Sequence, residues 1–160
     1  MKDLTITAII KVYQYDELNE GDRSLIKTAM EATARSYSPY SHFSVGAAAL
    51  LGNGTVVTGT NQENAAYPSG LCAERTTLFY ANSQYPDQSV VTLAIAARTE
   101  KDFIDHPIPP CGACRQVMLE TEKRYKHPIR ILLYGKECIY EVKSIGDLLP
   151  LSFDASAMED

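Results

Sequence analysis

The sequence predicts an α/β protein, a three-layer α/β/α sandwich on a mixed sheet of about five strands. Three observations carry that reading. Periodic segments run in the order helix, hairpin, helix, strand, helix, strand, which distributes helices over both faces of a sheet. Residues 90–97 (Val-Val-Thr-Leu-Ala-Ile-Ala-Ala) and 129–134 are apolar enough for strands covered on both sides. The 160 residues amount to about one domain. No repeat, low-complexity tract or Pro/Gly/Ser-rich linker divides them, so a single domain over 1–160 is expected.

Each element has a local cause. In 4–15 the alternation of Leu4, Ile6, Ala8, Ile10 and Val12 suggests an added edge strand. Residues 19–36 read as a helix capped by Asn19 or Asp22, with Leu25, Ala29, Met30 and Ala32 as its apolar stripe. Strands over 44–51 and 55–59 follow, joined by the turn Gly52-Asn53-Gly54. Cys72 opens a helix to about Asn82, with Ala73, Leu78, Phe79 and Ala81 as core candidates. Pro109-Pro110 stops the preceding segment and starts a helix from Cys111 to about Lys123. After the strand at 129–134 come a weaker strand at 138–143 and a short helix at 144–149. Residues 1–18 form an N-terminal extension, and 154–160 read as a loose acidic tail.

Composition narrows the function. The net charge is −5 and there is no basic run, which disfavours a nucleic-acid surface and suits a small substrate. No stretch approaches the ~20 apolar residues needed to cross a membrane. The N-terminal residues lack the pattern of a secretion signal, so a cytoplasmic location is expected. Four cysteines in that setting read as thiols or metal ligands, not as a disulfide framework.

Cys72, Glu74, Cys111 and Cys114 form the chemical centre of the sequence. Three thiolates leave one position of a tetrahedral zinc open for water, which distinguishes a catalytic site from a closed structural one. The unligated Glu74 can carry protons beside it. Cys111 and Cys114 are three apart at a helix start and share a face. Backbone N–H groups and the positive end of the helix dipole favour thiolates there. Cys72 and Glu74 are two apart and do not share a face, but a metal just beyond a helix end can meet several side chains of its first turn.

Three thiolates also leave the zinc centre at −1. Zinc with neutral ligands takes the pKa of water from about 15.7 to about 7, worth about 12 kcal/mol. An anionic ligand set weakens that effect. Arg75 and the two helix dipoles are the available compensation, because hydrogen bonds to sulfur draw charge off the metal. Two plainer alternatives stay open on residue types alone: a Cys111/Cys114 redox pair with Cys72 in the core, and a solvated Arg75. Cys138 has no partner spacing and reads as a core thiol, while His42, His106 and His127 read as surface or loop residues.

Longer segments surround these residues: Tyr37-Ser38-Pro39-Tyr40-Ser41-His42-Phe43-Ser44-Val45-Gly46-Ala47-Ala48, Asn61-Gln62-Glu63-Asn64-Ala65-Ala66-Tyr67, Cys72-Ala73-Glu74-Arg75, Pro110-Cys111-Gly112-Ala113-Cys114-Arg115-Gln116 and Leu148-Leu149-Pro150-Leu151-Ser152-Phe153. On them the chain resembles the small, homotetrameric, three-cysteine class of cytidine deaminases. The resemblance implies one zinc per subunit on Cys72, Cys111 and Cys114, with Glu74 shuttling protons. It implies that Phe43 packs on the pyrimidine, Asn61 and Glu63 bind the ribose 3′-hydroxyl, and the Ala73 backbone contacts the base. Phe153 is expected to reach a neighbouring subunit's pocket. The implied activity is hydrolytic deamination of cytidine and deoxycytidine in pyrimidine salvage, with no nucleic-acid or membrane partner. An enzyme acting on a related aminated nucleoside, such as a nucleoside antibiotic, is the alternative. Gln62 departs from the family's usual apolar residue, and its side chain is expected to point away from the sugar.

Overall fold

The structure is a computed structural model and describes residues 1–158. Its sheet contains β1 (Ile10–Tyr13), β2 (Ser44–Leu51), β3 (Val56–Thr60), β4 (Val90–Arg98), β5 (Arg130–Tyr134) and β6 (Ile139–Val142). The strands lie in the order β1-β6-β5-β4-β2-β3. Only β4 and β5 pair in parallel, so the sheet is mixed. The α-helices among the described residues are α1 (Glu20–Ala32), α2 (Ala73–Gln84) and α3 (Gly112–Tyr125).

Period-two alternation sorts the central apolar runs between two cores. Ala48, Ala94, Ala96 and Leu132 face Leu25, Ile26 and Ala29 of α1. Ala47, Ala49, Leu93, Ile95, Ile131 and Leu133 face Leu78 and Ala81 of α2 and Met118 and Leu119 of α3. The alanine-rich face lets α1 come close: a Cβ at Gly46 would sit 2.2 Å from the Ala29 carbonyl oxygen. The β2–β3 turn needs glycine in turn, since Gly54 adopts φ +84.

The six strands agree with the expected sheet of about five, with the N-terminal extension adding β1 at the edge as anticipated. It covers less than the expected 4–15. Ile10 pairs with Val142, the last residue of β6, so the chain before Ile10 has no strand to join. The first helix also ends early, at Ala32, and tightens into a 3₁₀ turn over Thr33–Arg35, with Thr33 Oγ1 donating to Met30 O at 2.7 Å.

Two core assignments are corrected. Phe79 is 47% exposed, because Leu78 and Ala81 occupy the sheet-facing side of α2 and Phe79 projects away. Cys138 is half-buried and sits in the loop before β6, where its carbonyl accepts from Gly135 N at 3.0 Å. The tail begins from a fixed point: Asp154 pairs with Lys123 at 2.8 Å. Residues 159 and 160 lie outside the described residues.

Candidate metal centre and substrate cavity

α2 and α3 cover the same sheet face, and their first turns converge. Cys72 is the N-cap of α2 and Cys111 the N-cap of α3; both have extended backbone, with φ −72, ψ 156 and φ −66, ψ 165. Cys114 follows one turn into α3 and is buried. The three sulfurs lie within 4.8 Å of one another. Cys72 Sγ is 3.9 Å from Cys111 Sγ, which is 3.5 Å from Cys114 Sγ. A tetrahedron with metal–sulfur bonds of about 2.3 Å has sulfur–sulfur edges of about 3.8 Å, so these residues fit zinc.

The protonation of the cluster points the same way. Cys72 is lowered to about 5, chiefly by the hydrogen bond from the Cys114 thiol and then by Arg75 and Cys111. Cys114 is pushed far up by holding the proton it shares with Cys72 and by burial. One guanidinium supports one thiolate.

Arg75 Nη2 lies 3.7 Å from Cys72 Sγ, while Arg75 Nε is buried without a hydrogen-bond partner among the described residues. Glu74 is 6% exposed. Burial first, and then the negative charge of Cys72, hold its carboxyl above the usual carboxylate range. A buried carboxyl that keeps its proton near a nucleophile's site can act as an acid.

A cavity of about 480 Å³ opens beside Cys72 and Arg75, with Asn61, Glu63, Tyr40 and Tyr67 among its walls. The rings of Tyr40 and Tyr67 meet edge to face at 5.9 Å. Glu63 Oε2 accepts from the backbone N–H groups of Tyr40 at 2.9 Å and Ser41 at 3.2 Å. Hydrogen bonding, led by the Ser41 hydroxyl, holds the Glu63 carboxyl below its ordinary value. Glu63 is therefore a fixed anion at the cavity wall. Asn61 Oδ1 accepts from Val45 N at 2.8 Å and Ser36 Oγ at 2.6 Å, and its Nδ2 donates to Phe43 O at 2.9 Å. One Nδ2–H remains for a ligand.

Residues 19–126 match the family model of the cytidine and deoxycytidylate deaminase zinc-binding region. The chain belongs to that family. It is 42% identical over 136 residues to a cytidine deaminase of Halalkalibacterium halodurans, covering 85% of this chain and 96% of that protein. A cytidine deaminase of Mycobacterium tuberculosis is 37% identical over 135 residues, covering 82% and 86%. The crystal structure of a Burkholderia pseudomallei cytidine deaminase superposes with a TM-score of 0.70 at 38% identity, covering 85% of this chain and 100% of that one. The family match begins after β1, so the edge strand lies outside it.

Of the residues singled out in the sequence, the deaminase fold brings Asn61, Gln62, Glu63, Cys72 and Arg75 to one cavity. Cys111 and Cys114 join Cys72 through their sulfurs. Ala73 is buried as the first residue of α2, where its N–H has no partner within the helix. Phe43 is half-buried and tied to Asn61 through its carbonyl. Phe153 is not brought to the cavity of its own chain: the residue is 62% exposed, while its carbonyl accepts from Gln116 Nε2 at 2.9 Å. Gln62 turns its amide nitrogen to Thr60 Oγ1 at 2.8 Å. His42 and His106 are exposed and His127 is half-buried. Sequence reasoning missed Ser36, which holds Asn61, and Tyr40, Ser41 and Tyr67. Tyr40, Ser41 and Tyr67 stood inside quoted motifs, yet hydroxyl and aromatic residues in a loop carry no signal of their own.

Proposed function

We propose that this deaminase hydrolyses the C4 amino group of cytidine and deoxycytidine, yielding uridine or deoxyuridine and ammonia. The observation that carries this is the convergence of three cysteine sulfurs at two helix N-termini, beside buried Glu74 and an open cavity. Cys72, Cys111 and Cys114 would hold a zinc ion, which when bound would supply a Lewis acid that lowers the pKa of water. In the reaction oxygen from water bonds to C4 and the C4–N bond breaks. Of the two water protons, one ends on N3 and the other leaves with ammonia. Glu74 carries both, alternately accepting and donating.

The remaining residues bind and orient. Asn61 has one N–H to give and Glu63 a carboxylate to receive, which suits a hydroxyl that both accepts and donates, such as the ribose 3′-OH. Phe43 supplies an apolar face for the pyrimidine and the Ala73 N–H a donor for the base. Among the described cavity walls Arg75 is the one cation, and it faces Cys72. A 5′-phosphate would find the Glu63 anion and no free cation, so the cavity favours nucleoside over nucleotide. We place the enzyme in the cytoplasm, in pyrimidine salvage, as a homotetramer. The exposed Phe153 ring supports this assembly, since a neighbour's pocket would cover it.

Ammonia release from cytidine, deoxycytidine, cytidine 5′-monophosphate and an aminonucleoside antibiotic tests the reading. Turnover of the two nucleosides far above the nucleotide is expected. Preference for the nucleotide or the antibiotic would overturn it.

A further inference from the structure

Arg115 immediately follows the ligand Cys114 in the first turn of α3, and nothing in the proposed reaction uses it. Its guanidinium forks between two backbone carbonyls. Nε donates to Pro110 O at 2.8 Å, and Nη1 donates to Leu148 O at 2.5 Å. Pro110 is the residue before Cys111, so the first bond fixes the peptide that presents this sulfur. Leu148 begins the C-terminal segment that runs along α3, held further on by Gln116 to Phe153 O and by Lys123 to Asp154.

The Cys111 arm needs such support. Pro110 has no backbone N–H to donate. Cys111 is exposed and its side chain caps no backbone N–H, so little packing holds its sulfur in place. Cys114, by contrast, is fully buried within the helix.

We propose that Arg115 is a positioning residue for the metal centre: it locks the Pro110–Cys111 peptide and couples it to the C-terminal segment. The inference rests on the zinc assignment above. A lysine at 115 keeps the charge but offers a point donor, which cannot reproduce a fork to two separated carbonyls. Partners that orient metal ligands typically change metal affinity about 10–100-fold when removed.

The test compares Arg115→Lys and Arg115→Met with Arg130→Lys. Arg130 holds Asp22 and Glu141 in an ion network built on α1, β5 and β6. The readouts are the rate of zinc release to a chelator, the sulfur-to-metal charge-transfer band after cobalt substitution, and the melting temperature. Zinc release about tenfold faster and a shifted cobalt band are expected in both Arg115 variants. The Arg130 variant should melt lower yet release zinc within about twofold of the parent. Parental zinc release and an unchanged cobalt band in Arg115→Lys would overturn the proposal, as would equal acceleration in Arg130→Lys at a matched loss of melting temperature. If Arg115→Met does not accumulate in folded form, Arg115→Lys decides. A parent chain that binds no zinc would refute the zinc assignment instead, which separates the two failures.

Discussion

Asn61→Ala tests whether one side chain both builds and serves the cavity. The substitution deletes hydrogen bonds to Val45 N, Ser36 Oγ and Phe43 O, all partly buried. At about 0.5–1.5 kcal/mol net apiece, the loss is about 1.5–4.5 kcal/mol, with about 3 as the central value. At about 2–4 °C per kcal/mol for a domain of this size, the zinc-loaded protein should melt about 6–12 °C lower. The remaining Nδ2–H gives a second, separable effect. If it bonds the 3′-hydroxyl, kcat/KM for cytidine falls by a further 1–3 kcal/mol, about fivefold to 150-fold. The assay pairs thermal denaturation with steady-state kinetics on cytidine and 3′-deoxycytidine, below the lower melting point. A melting temperature within about 2 °C of the parent would refute the bracket formed by Asn61. Equal losses of kcat/KM on both nucleosides would refute the sugar contact while leaving the bracket intact.

Three further outcomes are expected. Glu74→Gln should retain zinc, measured by metal analysis, and lose about 10²–10⁴-fold in kcat because an amide cannot carry the proton; turnover within tenfold of the parent would remove Glu74 from the proton path. Cys111→Ala should lose zinc on dialysis and melt lower with it, since metal binding and folding share free energy; one zinc per chain after dialysis would count against this ligand. Removal of residues 151–160 should weaken cytidine binding with zinc in place, and the parent should run in solution near four times 17.7 kDa. Unchanged kcat/KM in the truncated protein would sink the neighbour contact of Phe153, and a monomeric mass would sink the tetramer.

What could be read from the sequence was what local chemistry determines. The 44–51 strand, its glycine turn and the Asn19 cap depend on side chains within a few positions, and the structure has them there. The cysteines were legible for the same reason: N-cap positions and an i,i+3 spacing put sulfur at a helix end before any tertiary contact forms. Phe79 was misassigned because α2 has a weak apolar stripe, so the sequence does not define which residues face the sheet. Ser36 and Arg115 act over 25 and 33 positions, on an amide oxygen and a carbonyl. A hydrogen bond to a distant backbone atom leaves no trace in the spacing of residue types, so only the fold reveals it.

The charges around the site follow from the choice of three thiolates. Two helix N-termini aimed at a dication would repel it if its ligands were neutral, since each carries about half a positive charge. With three thiolates the centre is an anion, and the same two helix ends stabilise it. Arg75 at 3.7 Å from Cys72 adds to that stabilisation from the α2 side. Glu74 shares the first turn of α2 with Arg75 but is buried, so it meets the anionic sulfurs with little water to screen them. Both conditions favour its protonated form, which the proposed donation to N3 requires. The cysteine ligand set thus weakens the acidification of water while strengthening the acid that completes the reaction. In the proposed reaction two adjacent residues would divide these tasks: Arg75 would neutralise sulfur, and Glu74 would move protons.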